Sequence, residues 1–322
     1  MKPTKVWFFS LLAVWFLFLP LQAEAIDAVA SFGEVSGTVQ VIRETRKIPG
    51  RTGLILNDQD VVITGTESRA SIIFRDGSEI RLFQDTRFLI EKSEEVNTGT
   101  RQFFNHFKLK VGSFWGKFIK GNQNTKISTP TATIGIKGTN VAFKQGAEKL
   151  DLGLSSGLIS IENEEGTYDL NPGNRILGIE RKGPIADKVS PQPLRIELKP
   201  DKTKFEVPQA GRTTEIDFTL QVVDASTNRN KDFTGKLYMT VEIDKIVFPK
   251  EIALNNRGYA RVTATVNPFQ VADYREGQVQ IFAVMDGEES IDVAAGSTIL
   301  TYDVPSQLGK TIRIDMKTGE IR

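Results

Sequence analysis

The chain has no cysteine and only one histidine, His106. That excludes thiolate zinc sites, cysteine nucleophiles, disulfides, a lipid-modified cysteine and metal centres built from several histidines. Without cross-links a core must hold by burial alone, which domains of more than about 100 residues manage. Neither sign of charge dominates. With 41 Lys and Arg against 40 Asp and Glu, no global field steers a polyanion, and charge-driven binding has to be local. Glycine-rich phosphate loops leading into a helix are missing, as are EF-hand spacings. Asp76-Gly77-Ser78 reads as a turn rather than the Asp-Thr-Gly of an aspartic protease. Asp58 with Asp60, and Glu288 with Glu289, read as solvated loops. A glycosidase-type carboxylate pair is a matter of separation in space and stays open at this level. No catalytic, cofactor-binding or metal-binding residues are assigned, and the expectation is a protein that is not an enzyme.

Long apolar runs are confined to the start. Lys2 and Lys5 precede an apolar stretch over residues 6–21, and Ala23-Glu24-Ala25 comes next as an A-x-A cleavage site. The run falls short of the roughly 20 residues that span a bilayer. Residues 1–25 are therefore expected to be a signal peptide, with the mature chain starting at Ile26 in the periplasm or outside the cell. No transmembrane helix is expected in the mature chain.

The chain beyond this segment is rich in short alternating runs bounded by turn residues, as at 37–42, 70–74, 79–83, 88–91, 107–111, 158–161 and 175–180. No stretch of ten residues beyond position 31 holds a clear helical period. Asp76-Gly77 between two such runs is a hairpin signal. The predicted fold class is all-β: a first block over 26–183, a proline-rich linker over 184–194, an immunoglobulin-like sandwich over 195–303, and a tail over 304–322 with a small hairpin.

Residues 129–143, TPTATIGIKGTNVAF, carry a break. Ala132, Ile134 and Ile136 are even-numbered, whereas Val141 and Phe143 beyond Gly138 are odd. A strand keeps one face only if its period of two is uninterrupted, so the buried face changes here. Gly138 is predicted to sit in a β-bulge, Pro130 at a strand start or edge, and Gly135 where another backbone layer approaches. The alternative is a backbone-lined binding notch around Thr139 and Asn140.

Residues 33–37 (Gly-Glu-Val-Ser-Gly), 56–60 (Leu-Asn-Asp-Gln-Asp), 69–82 with their Asp-Gly-Ser turn, 129–143 and 170–175 occur in an order that resembles the FecR domain family. The family is named for a periplasmic regulator of iron-citrate uptake. The resemblance, over 32–181, implies a twisted, partly solenoidal β fold. In place of the namesakes' cytoplasmic segment and membrane helix this chain has the expected signal, and a counterpart of their transporter-docking domain is not expected. The resemblance does not imply iron.

Residues 96–147 contain no Asp or Glu, yet they hold Arg101, Lys108, Lys110, Lys117, Lys120, Lys126, Lys137 and Lys144, interleaved with Phe103, Phe104, Phe107, Phe114, Trp115 and Phe118. His106 is expected beside that aromatic cluster rather than as a base. Arg101, Lys108, Lys110, Lys117 and Lys120 are the candidate ligand-binding residues. Basic-aromatic surfaces suit single-stranded nucleic acid, but for an exported protein the expected partner is an envelope protein or an anionic envelope polymer, with no nucleic acid. The functional expectation is a non-enzymatic FecR-domain protein acting as an envelope binding or scaffold module. The rival is a periplasmic sensing component that relays a signal to a membrane regulator.

Overall fold

The computed structural model describes residues 28–304, apart from 98–100, 120–122, 225, 227, 230–231 and 270–276. The expected signal, Lys120 and all but the first residue of the expected tail lie outside the described residues. The first strands are β1 (Ala30–Ser36), β2 (Val39–Arg43), β3 (Arg46–Pro49), β4 (Ile55–Leu56), β5 (Val61–Thr64), β6 (Arg69–Phe74), β7 (Glu79–Leu82) and β8 (Arg87–Asn97). Next come β9 (Arg101–Lys117), β10 (Gln123–Ser128), β11 (Thr133–Gln145), β12 (Leu150–Asn163), β13 (Gly166–Leu170), β14 (Asn174–Ile179) and β15 (Val189–Pro191). These form one sheet whose main path runs β15-β14-β12-β11-β10-β9-β7-β6-β1-β4. Its inner face buries one core that includes Phe32, Ile72, Phe88, Phe107, Phe114 and Phe143.

The second block opens with β16 (Leu194–Pro200), β17 (Lys204–Glu206), β18 (Thr214–Asp224), β19 (Gly235–Val241) and β20 (Ile246–Val247). It continues with β21 (Ile252–Leu254), β22 (Tyr259–Val266), β23 (Gly277–Met285), β24 (Val293–Ala294) and β25 (Gly296–Asp303). Two five-stranded sheets result, ordered β20-β22-β18-β16-β24 and β17-β25-β23-β19-β21. The alternation in β22 shows why they face each other. Ala260, Val262, Ala264 and Val266 point into the second core while Arg261 and Thr263 stay exposed. The described residues are all-β apart from short 3-10 turns.

The parity break has a clear geometry. Pairing of β11 with β12 shifts between Lys137 and Asn140, and Gly138 sits in the shift with φ +62°. Ile134 and Ile136 face the first core before it, and Val141 and Phe143 after it. Opposite lies Gly157 at φ +86°, where an added Cβ would run into the Gly138 carbonyl oxygen and Thr139. Gly138→Val should therefore destabilise the protein by about 1–3 kcal/mol through backbone strain, and Gly157→Ala by at least as much. Urea unfolding of both variants measures this, and a loss under about 0.5 kcal/mol would remove the bulge from the structural necessities of the fold. Pro130 lies in the bend between β10 and β11, its carbonyl accepting from Arg181 at 3.1 Å. The expectation for Gly135 needs correcting. A Cβ there would meet only the Ser160 carbonyl oxygen at 3.9 Å, so no backbone layer approaches it.

Residues 184–194, expected as a linker, are folded against both blocks. A 3-10 turn (Ala186–Lys188) leads into β15, which pairs with β14, and the buried Gln192 donates to the Ile291 carbonyl at 2.9 Å. A third apolar cluster joins the blocks, with Phe83, Trp115 and Ala142 from the first and Tyr238, Phe282, Val284 and Ile291 from the second. This cluster explains why β11 is buried on both faces beyond Gly138: Val141 and Phe143 fill the core while Ala142 meets the second block.

Candidate binding face and the interface beside it

The basic stretch divides into two environments. In its first half β9 lies between β8 and β10, with Phe107 and Leu109 in the core and Phe104, His106, Lys108 and Lys110 on the outer face. Beyond Gly112, at φ +99°, β9 changes neighbours to β7 and β11 and its buried parity reverses. Phe114 then enters the core, while Trp115 packs against the second block and Lys117 is buried on the same side of β9. Lys117 is only 6% exposed, opposite Glu79 of β7 and Asn140 of β11. The structure thus separates Lys117 from Lys108 and Lys110, because the break at Gly112 puts it on the buried side of β9. Arg101 opens β9 opposite Asn97, its side chain outside the described part.

Two lysines complete the outer face. Lys126 of β10 lies across from His106 of β9 and Gly135 of β11, and Lys137 is two residues further along β11. Lys108 sits opposite Ser128, one row from Lys126 in the other direction. Lys110, Lys126 and Lys137 are exposed and Lys108 is half-buried. Among the described residues these four lysines form no ion pair. Acids border them instead of covering them. On β8, Glu94 pairs with Lys92 at 2.6 Å and Glu91 approaches His106 Nδ1 at 3.4 Å; on the far side stand Glu162 and Asp169. His106 Nε2 lies 3.0 Å from Ser128 Oγ. His106 is therefore on the polar face, whereas the aromatic cluster of Phe74, Phe88 and Phe107 lies beneath it. The Asp-Gly-Ser turn is tied to the underside of β9, where Asn105 donates to Asp76 Oδ2 at 2.7 Å.

The rest of the positive charge meets a surface that reads as solvent-facing in the sequence. Residues 286–292 reach back to the first block: Arg69 pairs with Asp286 at 2.5 Å, Lys144 with Glu288 at 2.5 Å, and Arg175 with Asp292. Arg81 stacks over the Tyr238 ring at 3.9 Å, and its Nε is 3.5 Å from Asp286 Oδ1, an ion pair without hydrogen-bond geometry. Thr240 donates to Glu79 at 2.6 Å. Burial holds Tyr238 in its neutral form well above the ordinary tyrosine range. Hydrogen bonds from Lys236 and Arg69 hold the Glu251 carboxyl below the usual range. Glu288 is thus a partner of Lys144, not merely part of a solvated loop. Asp60, also expected in solvent, is fully buried and accepts from Arg43 Nε at 2.9 Å and NH2 at 2.7 Å. Among the described residues no group of three or more His, Asp and Glu is placed to hold a metal ion.

Residues 60–160, which contain both the outer face of β9–β11 and the Gly138 bulge, match the family model of the FecR protein. The chain contains a FecR domain. No curated protein matches the chain. Among solved structures, a candidate anti-sigma factor from Parabacteroides distasonis ATCC 8503 is similar at 12% identity and a TM-score of 0.32, covering 38% of this chain and 56% of that one. A glycosyl hydrolase family 2 member from Bacteroides cellulosilyticus, at 12% identity and a TM-score of 0.26, covers 83% of this chain and 28% of its own. Domains 4 and 5 of the S-layer protein SbsC give 14% identity and a TM-score of 0.21, covering 84% of this chain and 98% of theirs. These likenesses are shallow, and the family match carries the assignment.

Proposed function

We propose that this FecR-domain protein is a non-catalytic module of the cell envelope that binds an anionic partner through the outer face of β9, β10 and β11. The observation that carries this reading is the unpaired set Lys108, Lys110, Lys126 and Lys137 on strands without a single acid. Four ammonium groups on one side of a rigid sheet make a local positive field in a protein with no global one. The second block is proposed to be immunoglobulin-like, with β16, β18, β22 and β20 in the A-B-E-D order and β19, β23 and β25 in the C-F-G order. Packed on Trp115 and Arg81, it braces the face from behind the bend in β9. Export to the periplasm or beyond is part of the proposal and is supported by the N-terminal sequence.

Dextran sulfate, a soluble polyanion, is a suitable probe. Its binding should weaken between about 0.1 and 1 M salt, where the screening length falls from about 10 to about 3 Å. Lys126→Glu with Lys137→Glu should lower affinity by about tenfold, from two lost contacts of roughly 0.7 kcal/mol each. Stability should change by less than about 0.5 kcal/mol per site. Unchanged affinity in the double variant would make the face a solvated surface and end this proposal. The family match favours a second reading, in which binding feeds a signal to a membrane regulator. Its test is whether deleting the protein silences a ligand-dependent transcriptional response that the double variant fails to restore.

A further inference from the structure

Lys108, Lys126 and Lys137 lie on three adjacent strands, each one strand over and two residues along from the last. Strands about 4.8 Å apart and a two-residue advance of about 6.7 Å place them on a straight diagonal with steps of about 8 Å. Lys110, two residues along β9 from Lys108, stands beside the end of this diagonal. The line is one chain wide, because acids on β8 and on β12–β13 border it on both sides. A flat anionic surface would bring negative charge onto those acids. A single strand of negative charge would not.

The row that holds Lys137 adds a second kind of contact. Phe104 and Leu158 flank it and are 37% and 39% exposed. A polysulfate or polyphosphate has no group to place on them.

Resting on the anionic-partner reading above, we propose that the partner is an extended acidic polypeptide segment, with carboxylates at alternate residues on the lysine diagonal and an apolar residue next in that same register, on the side that faces the sheet, to meet Phe104 and Leu158 at the Lys137 end. Alternate residues of an extended chain repeat about every 6.6–6.8 Å, roughly the lysine step, and flexible lysine stems take up the difference.

The test uses the full chain and fluorescence anisotropy with two short peptides of one composition, one with Glu at alternate positions, Ser between them and Leu next in the Glu register, the other with its Glu in a block. The alternating peptide should bind about tenfold more tightly. Phe104→Ser with Leu158→Ser should weaken it several-fold while leaving dextran sulfate binding unchanged. Equal binding of the two peptides, with dextran sulfate still binding in a salt-dependent manner, would overturn the peptide inference and leave the anionic face standing. Tighter binding to phosphatidylglycerol vesicles than to either peptide would likewise overturn it in favour of a membrane. Failure of the peptides and of dextran sulfate together would take down both readings.

Discussion

Asp286→Ala should destabilise the protein by about 3–5 kcal/mol and split its melting into two transitions. Arg81 and Asp286 side chains are each only 6% exposed, so removing the carboxylate leaves a guanidinium with little access to water. Arg69 retains Glu251 at 3.1 Å, and Arg81 retains Glu34 at 3.4 Å and the Tyr238 ring, which limits the loss to the lower part of that range. The uncoupling arises from where the pair sits. On this interface the first block contributes Arg69, Arg81, Lys144 and Arg175, and the second contributes Glu251, Asp286, Glu288 and Asp292. With the apolar cluster around Trp115 they make the two blocks share stability. Calorimetry of wild type should give one cooperative transition. A single transition in the variant with a loss below about 1 kcal/mol would mean that the blocks fold independently of this contact.

Asp60→Ala should cost about 3 kcal/mol, or roughly 6–12 °C in melting temperature for a domain of this size. Asp60 receives two charge-assisted hydrogen bonds from Arg43 and one from the Asn57 backbone at 2.9 Å, and its own side chain is shut off from solvent. Arg43 is 28% exposed and regains water when its partner goes, so the full penalty for an orphaned buried charge does not apply. Arg43→Met should be worse than Asp60→Asn, because it strands the carboxylate in the core, whereas the amide remains able to hydrogen-bond. Chemical denaturation of the two variants ranks them, and the reverse order would contradict this account of the buried pair.

The two large effects lie where the sequence was hardest to read. Asp58, Asp60, Glu288 and Glu289 look alike in one dimension: acids among turn residues, which on average are solvated. Asp60 is buried because β2 delivers Arg43 beside it, and Glu288 reaches Lys144 because the second block folds back. Neither event leaves a local mark. The lysines repeat the lesson. Lys108 and Lys117 share a basic, aromatic context, yet one lies on the outer face and the other is buried on the face that carries Trp115, separated by the positive-φ break at Gly112.

Other features were legible because they depend on neighbours along the chain. Alternation of period two determined the all-β class, since a strand with one buried face must alternate its side chains. Asp76-Gly77 marked the β6–β7 hairpin, where Gly77 takes φ +84°. Gly138 marked the place where the parity of the core residues changes, since an extra residue in a bulge lets Ile136 and Val141 face the same core and glycine tolerates the backbone it needs. Order and spacing of short motifs pointed to the FecR domain. Periodicity tells which residues share a face, but not what comes to cover the other one. That was decided by the tertiary structure, which laid the second block on Phe83, Trp115 and Ala142 and left the face of Lys108, Lys126 and Lys137 uncovered. The physical reason is that desolvation of a face depends on contacts between segments remote in the chain, and these are set by the packing of whole sheets.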